Sequence, residues 1–306
     1  MRQFFITICC LFIAVTGVNA QGKVEMSVIM SCQPAEISQN TLSVLQNKLA
    51  AAITRNGISS VDYCGVVLRP DIIFTNKQIT EGGMRNVVVA DMQLNLTVEH
   101  VITGTMFNSM TIDMRGGGNT IDQAVAMGIT QLGQDDNRRI ILFIEQSKEK
   151  IINYYKTNID ALIQKANTLA SMNKYDEAIA LLYDYPSFID GYKAASSSLV
   201  AIFKKYQSAV CGQILQRARA AYSQGNYSEA AALLQNVDMQ SSCASEAKSL
   251  CRQIKNSRDK EAAQQMAAYE RLYQSQVSLE KHRVDAIRDV AKSYFKSLPN
   301  YYFILW

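Results

Sequence analysis

Hydrophobic and polar positions follow different periods in the two halves of the chain. From Lys23 to about Asp135 the apolar residues switch between period two and period 3.6, the mark of strands mixed with helices, and most of the glycines fall there. Val24, Met26, Val28 and Met30 alternate as a first strand that Pro34 ends. Ser38 is placed to cap a helix whose apolar face is Leu42, Leu45, Leu49, Ala52 and Ile53, with Asn56-Gly57 as its stop. Strands follow at residues 61–68, 71–80, 86–101 and 105–115, the last two turning near Thr103-Gly104.

The 86–101 strand has one buried face and one wet face. Val88, Ala90, Met92, Leu94, Leu96 and Val98 alternate with Asp91, Gln93, Asn95, Thr97 and Glu99. The 38–56 helix is expected to pack on the strands carrying Leu94 and Leu96. A second helix, after Gly116-Gly117-Gly118, presents Ile121, Ala124, Val125, Gly128, Ile129 and Leu132 to the same sheet. The predicted fold class is therefore an α+β amino-terminal domain, a small mixed sheet covered by two helices, followed by an all-α domain.

From Asn137 onward the period is 3.6, and no glycine occurs after Gly225. Ile140, Ile144, Ile151, Tyr155, Ile159, Leu162, Ala166 and Leu169 form one stripe of a long helix that turns at Asn173-Lys174. An internal repeat follows. Leu162, Ala166, Tyr175, Glu177, Ala178 and Leu181 recur as Ile214, Ala218, Tyr227, Glu229, Ala230 and Leu233. In each copy the small residues, Ala166 with Ala178 and Ala218 with Ala230, would let the two helices of a hairpin approach closely. Residues 187–210 carry their own stripe and read as an intervening helix. After Ser242, a run without Gly or Pro as far as Leu298 reads as one long helix before an aromatic tail.

These motifs carry two resemblances. The helix of residues 41–61, the strand meander and the Gly116–Leu132 segment resemble the domain shared by the curli secretion lipoprotein, penicillin-binding-protein activators and the amino-terminal part of TolB. That resemblance implies a compact module that oligomerises or docks on envelope partners, with no catalytic residues to carry over. The hairpin pattern resembles the tetratricopeptide repeat, although its copies are spaced more widely than the family's roughly 34 residues.

The first twenty residues have the form of a secretory signal: Arg2, an apolar run over residues 4–15 and Val18-Asn19-Ala20 before Gln21. Gln21 stands where a lipidation cysteine would be, so no lipid anchor is expected. The expected organisation is a signal peptide at 1–20, an α/β domain at 21–136, a tetratricopeptide-like helical domain at 137–241, and a long helix with tail at 242–306. After cleavage no run is long enough to form a transmembrane helix. The formal charge of +4 is too mild and too scattered for nucleic-acid binding.

Candidate chemistry is sparse. His100 and His282 have no ligand-spaced neighbours, and Gly116-Gly117-Gly118 lacks the Lys of a phosphate-binding loop. Asp135-Asp136-Asn137 reads as a helix cap. No catalytic residue, metal site or cofactor is expected. Five cysteines remain beyond the leader: Cys32, Cys64, Cys211, Cys243 and Cys251. Hairpin geometry places Cys211 and Cys243 at the same end as a candidate disulfide; Cys251 competes for the same partner, and Cys32 could pair with Cys64. In the tail, Tyr301, Tyr302, Phe303 and Trp306 form a candidate docking strand, or a segment folded back on the body. The function expected is a non-enzymatic cell-envelope scaffold or adaptor, periplasmic or associated with the outer membrane, binding envelope proteins or further copies of itself. The alternative is an oligomeric secretion pore that inserts the 86–115 hairpin into the outer membrane.

Overall fold

A computed structural model describes residues 23–30, 33–81, 86–238, 241–256, 264 and 279–298. The expected signal segment, Cys32 and the tail residues Tyr301, Tyr302, Phe303 and Trp306 lie outside the described residues. An α+β unit comes first and an all-helical region follows.

Five strands, β1 (Glu25–Val28), β2 (Ser59–Ser60), β3 (Val66–Glu81), β4 (Asn86–His100) and β5 (Thr105–Gly118), lie in the order β2-β1-β3-β4-β5. β1 runs parallel to β2 and β3, while β3, β4 and β5 form an antiparallel meander. β1 lies between two parallel neighbours, and Met26, Ser27 and Val28, which alternate between the two faces of the sheet, are all buried, while Glu25 at its start is exposed.

The expected strands at 61–68 and 71–80 are instead one strand, β3, that starts later and runs through Pro70. The reason lies in which edge the proline faces. Leu68 O accepts from Ile29 N at 3.0 Å, so the even-numbered backbone groups here point toward the β1 side. Beyond the end of β1 the Gln33 side chain takes over, donating to Pro70 O at 2.7 Å and accepting from Ile72 N at 3.2 Å. The donor that proline lacks thus faces away from β4, and the β3–β4 ladder continues past it.

Helix α1 (Gln39–Arg55) is capped by Ser38 Oγ, which accepts from Thr41 N. It lies mainly over β1 and β2 rather than over the strand carrying Leu94 and Leu96; α2 (Ile121–Thr130) covers β4 and β5 instead. The apolar face of β4 is fully buried beneath these helices. That is the face a membrane-inserted hairpin would have to expose, and in this conformation it is occupied from within the chain.

Helix α3 (Gln134–Ser171) starts where Asp136 accepts from Gly133 N, then passes beside β5 into the helical region. Asn173, at φ +62°, turns it into α4 (Tyr175–Tyr183). The intervening helix expected at 187–210 is not separate. It is continuous with the next hairpin arm as α5 (Tyr192–Ser223), because nothing stops it: a Cβ at Gly212 would meet no atom within 4 Å, and no proline interrupts the run. α6 (Tyr227–Leu234), α7 (Ala244–Lys255) and α8 (Leu279–Ser297) complete the described helices. The run after Ser242 is therefore not one unbroken helix: α7 ends at Lys255, α7 and α8 join different cores, and residues 257–263 and 265–278 lie outside the described residues.

The larger apolar core is continuous from the sheet through α1, α2, α3, α4 and the first half of α5, and includes Ile287, Ala291 and Phe295 of α8. A smaller core of Leu215, Ala218, Ala230, Leu234, Leu250 and Ile254 gathers the second half of α5 with α6 and α7. Packing thus does not part at residues 136–137, where the period changes. It parts within α5, between Phe203 and Cys211.

Candidate functional site

The repeat supplies the frame for the site. Ala166, Ala178, Ala218 and Ala230 are each fully buried where α3 meets α4 and where α5 meets α6. Against the first hairpin, α8 lays Ile287, Ala291 and Phe295. The residues flanking that stripe, Val290 and Tyr294, then face the middle of α5, and a groove is left between α4, α5 and α8.

Two lobes, of about 490 Å³ and about 320 Å³, share Tyr206, Asp289 and Val290. Tyr175, from the first turn of α4, meets Tyr206 edge to face at 6.3 Å between ring centroids; Phe203 continues the aromatic wall, 6.0 Å from Tyr206. Tyr294 stands opposite on α8. The charged residues among the described lining are Asp176, Asp238 and Asp289, with no lysine or arginine. Asp289 has Arg288 Nε at 3.7 Å just outside the groove, and Asp238 accepts from Gln207 Nε2. Burial, then the negative charges of Glu177 and Asp176, push the Tyr294 hydroxyl up to about 12. Such a surface can hold an apolar or aromatic side chain with a cation beside it. Among its described lining residues no acid, base and nucleophile converge.

Cys211, in α5, and Cys243, at the N-cap of α7, are joined as a disulfide with Cα atoms 6.1 Å apart. The link lies at one end of the second core, and Cys211 also borders the smaller lobe of the groove. Ser241 Oγ donates to Cys211 Sγ at 2.8 Å. Cys251 belongs to the same core.

The other sequence candidates are placed as follows. Gly116, Gly117 and Gly118 end β5 rather than forming a loop before α2. A Cβ at Gly116 would fall 1.9 Å from Ala124 O and 2.8 Å from Gly128 N, so the glycine allows α2 to touch the strand. His100 is sealed inside the chain, and the side chain of His282 lies outside the described residues. Among the described residues there is no cluster of His, Cys, Asp or Glu arranged to hold a metal ion, and no helix long and apolar enough to cross a membrane. Sequence reading missed the groove. Tyr175, Tyr206 and Tyr294 are far apart along the chain; the packing of α4 on α5 joins the first two, and the docking of α8 on α4 sets Tyr294 opposite them.

No family model matches the chain, and no curated protein does. Among solved structures it is similar to a minor lipoprotein from Acinetobacter baumannii, at 17% identity over 44% of this chain and 94% of that one, with a TM-score of 0.21. A hypothetical protein from Chlamydia trachomatis is similar at 7% identity over 40% of this chain and 98% of its own, TM-score 0.25. A candidate homologue of the neuraminyllactose-binding hemagglutinin from Helicobacter pylori is similar at 12% identity over 40% and 88%, TM-score 0.24. Likenesses at this level do not bear on the activity of this chain.

Proposed function

We propose that the protein is a non-enzymatic adaptor of the bacterial cell envelope, exported by its amino-terminal segment, that binds a segment of another envelope protein. The observation that carries this reading is the groove between α4, α5 and α8, whose described wall combines three tyrosines with three aspartates and no basic residue. Its complement is an extended or helical segment bearing lysine or arginine next to apolar side chains. The α+β unit serves as the base on which the helical region is mounted, through their common core. Reading the chain as a binder rather than an enzyme rests on the lack of a nucleophile, base and acid gathered at an open surface among the described residues.

The test is photo-crosslinking in cells, with p-benzoylphenylalanine in place of Tyr206 in the full-length protein. The expected result is a discrete adduct with one envelope protein that weakens at least several-fold when Asp176→Lys and Asp289→Lys are added. Only self-adducts would point to a second copy as the occupant. No adduct, or adducts indifferent to the charge reversals, would overturn the reading.

A further inference from the structure

Away from the groove, the opposite end of α4 meets the sheet in a sealed polar patch. Asp184, the residue that ends α4, reaches back to the loop before β3, where its Oδ2 accepts from Gly65 N. The same peptide unit is tied to the far end of β4, since Gly65 O accepts from Val101 N at 2.9 Å. Gly65 has no room for a side chain, as a Cβ there would stand 2.6 Å from Asp184 Oδ2 and 3.2 Å from His100 Nε2. One glycine is therefore wedged between an acid of the helical region and a histidine of the sheet.

Three polar atoms of this patch are buried without a hydrogen-bond partner: Asp184 Oδ1, His100 Nε2 and the Tyr155 hydroxyl. His100 Nδ1 accepts from Thr103 N at 3.3 Å, which puts the ring's proton on Nε2. Native structures leave few such atoms, and each has a physical cause. Among the described residues no cation is aimed at Asp184. From β1, Glu25 adds a negative charge; from the loop, the Cys64 thiol is committed to Val66 O; from α3 come the rings of Tyr154 and Tyr155. Lys165 of α3 faces His100, whose charged form it opposes, and Lys292 of α8 acts on Glu25. Tyr185, just after α4, spends its hydroxyl on the carbonyls of Tyr155 and Asp190.

We propose that the protonated Asp184 carboxyl is a clasp fastening the end of α4 to the Gly65–His100 corner of the sheet, and that its ionisation loosens the helical region from the sheet. Burial, and then the charge of Glu25, push this carboxyl up to about 8, against the lowering effect of the Gly65 N–H. Burial and Lys165 push His100 down to about 4. A raised acid gives stability that is full below its unfolded value of 3.8 and is lost as pH rises through about 8. A depressed histidine gives stability present above 6.5 that is lost as pH falls toward about 4. Between about 4 and 6.5 the two trends oppose each other. Between 6.5 and about 8 only the Asp184 trend remains, and the clasp weakens with rising pH.

The experiment measures the unfolding equilibrium of the full chain from pH 5 to 9, together with exchange of the Gly65 amide. The wild type is expected to be nearly flat below pH 6.5, then to unfold up to about tenfold more readily per pH unit, with Gly65 exchange accelerating in parallel beyond the intrinsic rate. Asp184→Asn keeps the Gly65 bond and removes the charge, so it should abolish the alkaline trend and expose the His100 trend on the acid side. If that variant does not fold, carbon-13 NMR of the wild-type Asp184 carboxyl decides directly. A midpoint near the ordinary aspartate range, or an Asn variant with the wild-type alkaline slope, would overturn the proposal. Either outcome is independent of whether the groove binds a partner.

Discussion

At Gly65 and Gly116 the missing side chain makes room for another element. At Gly65 the space belongs to Asp184 and His100; at Gly116 it belongs to the backbone of α2. The second gives a direct test. Gly116→Ala would press a methyl group against Ala124 O, which cannot rotate away as a side-chain tip would, so α2 must lift from β5. Overpacking of this kind costs ~1–3 kcal/mol or somewhat more. Chemical denaturation should show a loss of that size, whereas Gly212→Ala, where a Cβ meets nothing within 4 Å, should leave stability unchanged or raise it slightly through helix propensity. Equal losses at both positions would mean that α2 does not contact the strand as described. The triple glycine was visible in the sequence, but its purpose was not, because a phosphate cradle and a helix contact demand the same residue.

At the scale of elements, the strand and helix periods placed most of the pieces. The two-residue alternation of β4 matches its buried and wet faces residue by residue, and the caps Ser38 and Asn56 bound α1 as expected. The departures come from packing partners that a period does not record. Pro70 did not end a strand because Gln33 occupies the edge it faces. The 187–210 segment is not a helix of its own because α5 runs on into the next hairpin arm, each half of it with a core to pack into. The repeat alanines allow a prediction at this scale. Ala218→Leu should destabilise the α5–α6 hairpin by ~1–3 kcal/mol, since Ala218 and Ala230 are fully buried in the small second core. Hydrogen exchange should localise that loss to α5, α6 and α7. A uniform loss across the sheet as well would mean that the two cores unfold together.

For the whole molecule, the second core is the smaller one and has the disulfide at its edge. The link closes a loop of 32 residues by sequence separation, a constraint on the unfolded chain worth roughly 3–4 kcal/mol. A non-reduced digest of the protein should therefore yield Cys211 and Cys243 in one linked peptide pair. Reduction should lower the melting point of α5, α6 and α7 while leaving the exchange of β3, β4 and β5 largely protected. Recovery of Cys211 as an alkylatable thiol from oxidised protein would remove the link. The groove borders both cores, so its shape depends on this clasp at one end and on Asp184 at the far end of α4.

Sequence alone determined the two periods and therefore the two classes of structure, because a buried face must repeat with the geometry of its own element. It also determined the repeat, whose small residues mark where helices meet, and it brought Cys211 within reach of Cys243, because a helical hairpin returns the chain to its starting end. Only the tertiary structure decided that α8 docks on α4, that one core runs unbroken from the sheet into the helices, and that Asp184, Gly65 and His100 meet. Those contacts join residues distant in the chain through surfaces that any amphipathic helix could offer. A period records which face is apolar but not which partner covers it; that choice depends on shape complementarity between elements already formed.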